Sequence, residues 1–372
     1  MFKRFNFILI LLLTLVVLVS VSGCGSNTAA TKGDPATAAK TDTIKITDHT
    51  GKEVTIPANI TRVAIDQVPL AATYVMYKGG TAEGLVGLSG TVLATISRTA
   101  LVEIAPEILN VSTSHYENGE LNIEELMKLK PDVVLYNAGN TKHGELFAQA
   151  GIPAVGFSTD GDPTKLYAEW LRLLEDVFQE KGKMDDIISH GDEMIAMVKE
   201  RTAKIEDSKR VNALILFSYK DGIISVSGSQ KHFGRFWLQA MNAKNAAEEV
   251  QGIAQVNLEQ IYGWQPDVIL MPGPGQCSIT PSQVIANMVE GSDFSPLSAV
   301  EEKKVYTSDL GMWSWYTPNS DAPLVTLWMA QQIYPDMFKD IDLQSEAVKY
   351  YKDGYNYDLS PEQLKHIFNP EK

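Results

Sequence analysis

Few residues in this chain have both the type and the spacing to do chemistry. Six His are scattered without an acidic partner at metal-ligand spacing, which argues against a bare zinc or manganese site. No Gly-x-Ser-x-Gly elbow, His-Glu-x-x-His helix or Gly-x-x-x-x-Gly-Lys phosphate loop occurs, and "GPG" after "VILM" lacks the rest of a dinucleotide fingerprint. A surface-anchored enzyme is therefore the rival class without a motif. What remains is binding chemistry. Two of the six Trp, Trp313 and Trp315, stand two apart beside Tyr316, between Gly311 and Pro318. Aromatic loop residues suit a large flat or greasy ligand through area burial and stacking. One of the two Trp is expected in the core and the other at the ligand. Arg98 and Arg235 could neutralise an anionic chelate, His115-Tyr116 and His232 could contact metal or haem, and Ser227 to Gln230 could supply donors to an oxyanion.

Positioning such residues takes a scaffold, and the pattern describes one. "TIKITDHTGKEVTIP" alternates around a Gly-containing turn and predicts a β-hairpin. "RVAID", "LVGL", "DVVLY" and "PAVGF" predict short buried strands, alternating with helices over Pro69–Tyr77, Asn122–Lys130 and "GELFAQAG". Strands then stop between Lys165 and Ile205. Leu166–Phe178 reads as one amphipathic helix, and apolar residues from Met184 to Ile205 mark a second. Roughly 22 residues at about 1.5 Å each would make that second helix about 33 Å long, enough for a strut between domains. The α/β pattern restarts with "NALILFSY" and "GIISVSG", a helix over "FGRFWLQAM", a final strand "KKVYTSD", and helices over Ala322–Tyr334 and 344–368. The expected division is 43–163 for a first α/β lobe, 164–206 for linking helices and 207–372 for a second lobe.

Ligands of open α/β sheets sit beyond the carboxyl ends of the strands. In the first lobe this selects Gln67-Val68-Pro69, Ser89-Gly90 and Tyr136-Asn137. In the second it selects Ser218-Tyr219, Ser227 to Gln230, Met271 to Gly273 and Met312 to Tyr316.

The first 23 residues are an address. Lys3 and Arg4 precede an apolar stretch from Phe7 to Val19, and Val21-Ser22-Gly23-Cys24 resembles a bacterial lipobox, whose Cys is lipidated after cleavage. Residues 24–42 read as a flexible polar tether. Only Cys277 then remains, so no intramolecular disulfide is expected. Removing residues 1–23 takes away Lys3 and Arg4 and no acid, so the formal net charge of −14 becomes −16. Nucleic acid, which needs a basic footprint, is excluded as a partner.

One fifteen-residue sentence occurs twice, as "NIEELMKLKPDVVLY" from Asn122 and "NLEQIYGWQPDVILM" from Asn257, 135 residues apart. With "ITDHTGKEVTIPANITRVA", "VSGS…FG", "NAKNAAEE" and "VYTSDLGMWSWYTPNSDAPLVTLWMAQQIYP", these segments resemble substrate-binding proteins of ABC importers for iron-siderophore complexes, haem and cobalamin, over about residues 43–370. The resemblance implies an α/β fold of two Rossmann-like lobes joined by a long rigid α-helix, the class III arrangement, with cargo in the cleft between them. It implies a lipid anchor on Cys24 at the extracytoplasmic face of the cell membrane, a monomer, no catalysis and no resident cofactor. It also implies that Glu124 and Glu259, one on each lobe, pair with Arg residues of a permease dimer that works with its ATPase subunits. The cleft residues expected are Gln67, Tyr136, Tyr219, Gln230, Trp313, Trp315 and Tyr316 from the loops above, with the cationic candidates Arg98 and Arg235. An iron(III)-siderophore-type chelate is the expected cargo. Cobalamin, haem or an oxyanion such as molybdate are the alternatives.

Overall fold

A Gly-containing turn places the first strands. Thr43–Thr47 pairs antiparallel with Glu53–Pro57, and Gly51 closes the turn in the left-handed region. Asp48, buried in that turn, accepts the N–H groups of Thr50 and Gly156 at 2.9 Å each, which fastens the hairpin to the strand Ala154–Phe157. The computed structural model describes residues 42–370 apart from Arg98, Asn118, Lys231, Pro274, Gly275 and Trp313. Cys24, the signal segment and nearly all of the tether lie outside the described residues.

The first lobe carries a four-stranded parallel sheet in the order Leu85–Leu88, Val63–Ile65, Val133–Asn137, Ala154–Phe157. These strands are buried on both faces, as near-continuous apolar runs require. The second lobe carries a mixed sheet in the order Ile253–Val256, Ile223–Ser227, Asn212–Lys220, Val268–Leu270, Val305–Tyr306, with Lys244–Asn245 also on Asn212–Lys220. Its first three strands are antiparallel. Asp221-Gly222 turns the chain there, both residues at positive φ, the two-residue turn that matches strand twist. Ile253–Val256 is a strand that the apolar pattern did not disclose. As an edge strand its residues are half or fully exposed, and its alternation is weak.

The repeated segment forms the same device in each lobe. Asn122 and Asn257 cap the helices Ile123–Leu129 and Leu258–Trp264, accepting the N–H of Glu125 and Gln260 at 3.1 and 2.9 Å. Both helices end on a left-handed residue, Lys130 and Gln265. The Pro-Asp that follows is structural in both copies. Asp132 accepts the N–H groups of Thr61 and Arg62, and Asp267 that of Asn212. The residue so held then donates to the orphan carbonyls of the helix end: Arg62 to Leu129 at 2.6 Å, Asn212 to Trp264 at 2.9 Å.

Two helices link the lobes in sequence, and the first of them packs on both. Pro163–Phe178 packs on Val68–Tyr77 of the first lobe and on Arg235–Ala240 and Ala322–Ile333 of the second. Asp185–Thr202 is 18 residues long, about 27 Å rather than 33 Å, and packs on Ala322–Ile333 and Leu343–Tyr355. Buried Glu175 holds the turn between them, accepting Arg172 at 2.9 Å and the Met184 N–H at 2.7 Å. At Gly191 an added Cβ would meet Tyr167 Oη at 2.6 Å and Pro323 Cγ at 2.7 Å, so three helices meet there without room for a side chain. The helix Leu343–Tyr355 returns to the first lobe, packing on Val68–Tyr77, and Gly80 lies against the Tyr355 carbonyl. One apolar cluster therefore runs from Ile46 through Trp170 and Trp237 to Tyr355 without a break between lobes.

Candidate functional site

A cavity of about 730 Å³ opens between the two sheets, within the size range of small-molecule sites. Its first-lobe wall is built from strand ends: Asp66 and Gln67 beyond Val63–Ile65, Ser89 beyond Leu85–Leu88, and Asn137 closing Val133–Asn137. Each strand end feeds a helix whose first turn faces the same space. Gln67 stands at the N-cap position of Val68–Tyr77 without a side-chain capping bond, Ser89 caps Gly90–Ile96 through the Val92 N–H, and Asn140 caps Thr141–Ala150 through the His143 N–H. Helix starts present positive partial charge without any basic side chain. Tyr116 and Gly119 of a short hairpin complete this wall, while Phe233, Thr317 and Pro318 supply the second-lobe wall.

At the floor Asp66 and His143 form a pair, with Nδ1 3.2 Å from Oδ2 and both side chains largely buried. Asp66 Oδ1 accepts the Asn137 N–H at 2.9 Å. Burial lifts the Asp66 carboxyl above its ordinary range, against the hydrogen bonds from His143 and Asn137. Burial, with the Asp66 charge in support, pushes the Tyr116 hydroxyl well above its usual value, so it stays a donor at neutral pH. Tyr116 Oη and Gln67 Nε2 are buried without a hydrogen-bond partner. No Lys or Arg lines the cavity among the described residues. Nor do three His, Cys, Asp or Glu gather as a metal site among the described residues.

Of the ligand-binding candidates from sequence, Gln67 lies on the cavity. Arg98 and Trp313 lie outside the described residues. Trp315 is fully buried, donates from Nε1 to the Met271 carbonyl at 2.8 Å and packs between Trp237 and Trp328, so it takes the core position. Tyr316 is also fully buried, donating to Ser227 Oγ at 2.7 Å, with His232 Nδ1 3.0 Å away. Tyr136 is turned behind the sheet against Phe147, and Tyr219 is tied to the Glu290 carbonyl and Ser292 in the second-lobe core. Gln230 bridges to Gln251, and Arg235 stacks over Phe236 at 4.4 Å. Tyr136, Tyr219, Gln230, Arg235, Trp315 and Tyr316 do not line the cavity. Side chains alternate about a strand, so the loop rule located the wall but not which of two neighbours faces it. Asn137 does where Tyr136 does not. Sequence reading missed Asp66, His143 and Asn140; the polar end of "RVAID" was the available signal for the first.

Glu124 and Glu259 occupy the same place in the first turn of the two repeated helices, and both are exposed. Glu124 follows directly on the hairpin that carries Tyr116 and Gly119 and lines a shallow groove with Glu117 and Glu120, not the cavity. A second groove, about 590 Å³, lies apart on the second lobe between Pro281–Ile285, Val305–Thr307 and Phe368 to Pro370. The cavity combines both lobes with the carboxyl ends of the first sheet's parallel strands.

A sequence model of the family described as periplasmic binding protein matches residues 74–310. The chain is 26% identical over 344 residues to the molybdate-binding protein MolA of Haemophilus influenzae, covering 85% of this chain and 92% of that protein. It is 25% identical over 327 residues to an uncharacterized ABC transporter substrate-binding lipoprotein of Bacillus subtilis, YvrC, covering 86% and 95%. The crystal structure of a periplasmic solute binding protein from Veillonella parvula matches with a TM-score of 0.76 at 27% identity, covering 88% of this chain and 97% of that one. The two lobes and linking helices are thus the class III form of this fold.

Proposed function

The chain belongs to the periplasmic binding protein family, and from that premise we propose that it captures a metal chelate between its lobes and hands it to a permease. It is a non-enzymatic, extracytoplasmic substrate-binding protein of an ABC transporter. The finer reading is an iron(III) chelate of the siderophore type, carried by a protein anchored through Cys24 and docked through Glu124 and Glu259. The observation that supports a chelate is the lining of the 730 Å³ cavity, in which Val68, Pro69, Val92, Phe233 and Pro318 alternate with neutral polar groups. An organic chelate has apolar surface for the former and acceptor oxygens for the latter. The unbroken apolar cluster across the lobes fits a cleft that closes by small movements rather than by a wide hinge.

An oxyanion of the molybdate class is the second reading. The relative that binds molybdate favours it, as do the unpartnered donors of Gln67 and Tyr116. One thermal-shift panel of ferric chelates, haemin, cobalamin and molybdate separates the readings. A ligand at about 100 times its dissociation constant stabilises the fold by about 2.7 kcal/mol, and the expected hit is a ferric chelate. A shift with molybdate alone would overturn the chelate reading and leave the importer role standing.

A further inference from the structure

Resting on the reading that cargo is held between the lobes, we propose that Asn319 and Asp321 are positioning residues. Neither lines the cavity; together they hold Thr317 and Pro318 as a pre-set part of its wall. With Phe233, Thr317 and Pro318 form the second-lobe side of the lining among the described residues. The next three residues, Asn319, Ser320 and Asp321, are polar and yet wholly buried. Such a run is unfavourable in a core unless its groups are bonded. Here the bonds lead from the wall inward. Asn319 Nδ2 donates to the Thr317 carbonyl at 2.5 Å, and its Oδ1 accepts the Asp321 N–H at 2.8 Å. Asp321 Oδ2 accepts the Gly311 N–H at 3.0 Å and the Tyr351 hydroxyl at 2.8 Å, while Oδ1 accepts the Tyr355 hydroxyl at 3.3 Å. The Ser320 carbonyl accepts the Tyr350 hydroxyl at 2.7 Å. One carboxylate thus ties both ends of the segment, Gly311 and Asp321, to the helix Leu343–Tyr355. Gly311 has φ +82°, and a Cβ there would meet Asn319 Cγ at 2.9 Å, so the segment closes tightly on itself.

A carboxylate is a costly way to fill a core position, since a buried charge usually stabilises no more than an apolar side chain of similar size. No Lys or Arg offsets Asp321 among the described residues, and burial lifts its carboxyl above the ordinary range against the bonds from Tyr351, Gly311 and Tyr355. The start of the helix Ala322–Ile333, where Asp321 stands at the N-cap position, supplies part of the compensation. What the carboxylate adds over an apolar residue is direction: it fixes three donors on two separate segments relative to one another. Those segments serve both walls. The helix Leu343–Tyr355 packs on Val68–Tyr77, which begins with the cavity-lining Val68 and Pro69. A Cβ on Gly354 would lie 2.9 Å from Met76 Cε, and Gly80 lies against the Tyr355 carbonyl. The first-lobe wall and the Thr317-Pro318 wall therefore rest on the same helix, and Asp321 registers the second to the first.

The test compares Asp321→Asn, Asn319→Ala and Tyr351→Phe with the wild type in two measurements, both well below the melting temperature of each variant. The first is amide hydrogen exchange, without cargo, in peptides covering 314–320 and in the helix Val68–Tyr77. The second is calorimetric titration with a ferric tris-hydroxamate and with sodium molybdate. Exchange should quicken in 314–320 and stay as in the wild type in Val68–Tyr77. Whichever probe the wild type binds should bind the variants about five- to tenfold more weakly, because the wall is then in place for only part of the time. Tyr351→Phe removes one hydroxyl and keeps the ring, so it decides the matter if Asp321→Asn does not fold. A lower melting temperature or quicker exchange with wild-type affinity would make these residues structural only and overturn the proposal. Unchanged exchange in 314–320 would overturn it as well. If the wild type binds neither probe, both cargo readings fall, and the exchange measurement decides the pre-set wall by itself.

Discussion

His115 stands directly behind Tyr116, its ring centroid 4.9 Å away, almost fully buried and with Nδ1 unpartnered. Burial pushes its pKa down from 6.5 to about 4. The unfolded chain therefore binds a proton at a pH where the folded protein does not. This stability term is complete above pH 6.5 and is lost as pH falls through 4, worth at most about 3 kcal/mol. Burial lowers His49 and His232 in the same direction, so the acid limb has more than one source. Denaturant unfolding of the wild type should show stability falling between pH 6.5 and 4. In His115→Leu the slope over that window should be shallower. An unchanged slope would mean that His115 keeps its ordinary pKa in the fold.

Among the elements, the three-helix contact at Gly191 sets how the lobes meet. Gly→Ala inside a helix ordinarily stabilises by about 0.5–1 kcal/mol, because Gly loses more backbone freedom on folding. Here the added methyl would press on Tyr167 and on Pro323, whose helix starts four residues after the cavity-lining Pro318. Gly191→Ala should therefore destabilise, by about 1–3 kcal/mol from overpacking. A chain of this size should lose roughly 2–4 °C of melting temperature per kcal/mol. Cargo affinity should fall with it, since Tyr167 and Pro323 can make room only by shifting one helix against another. A melting temperature equal to or above wild type would show that the contact is looser than the packing implies.

For the whole molecule, the duplicated helix start matters most. Two exposed carboxylates at equivalent points on two similar lobes form a pattern that a roughly two-fold partner can read with Arg forks. Glu124→Lys with Glu259→Lys should reduce uptake in permease-containing vesicles by tenfold or more, while cargo binding stays within about twofold of wild type. Normal transport by that variant, or loss of cargo binding, would refute the docking role. At the other end of the chain, two or more acyl groups hold a protein stably where one does not. Cys24→Ala, expressed with its own signal in a bacterium, should move the protein from the membrane fraction to the soluble one or stall its processing. Membrane association of a normally processed Cys24→Ala protein would rule out the lipid anchor.

Local patterns determined most of the elements by themselves, the edge strand Ile253–Val256 excepted. Apolar runs bounded by Gly, Pro and Asn marked the parallel strands, Asn122 and Asn257 marked helix starts, and the repeat disclosed two lobes, because each of these signals acts within a few residues. The loop rule also reached the cavity wall at Gln67, Ser89 and Asn137. Tertiary structure decided the rest. Trp315 and Tyr316 carry the composition of a binding loop, yet both are sealed into the core by partners 44 and 89 residues away, Met271 and Ser227. Asp66 meets His143 across 77 residues, a pairing that no local pattern encodes. Burial and charge at the cleft come from chain segments brought together only by folding, so the chemistry of recognition could not be read from neighbours in sequence.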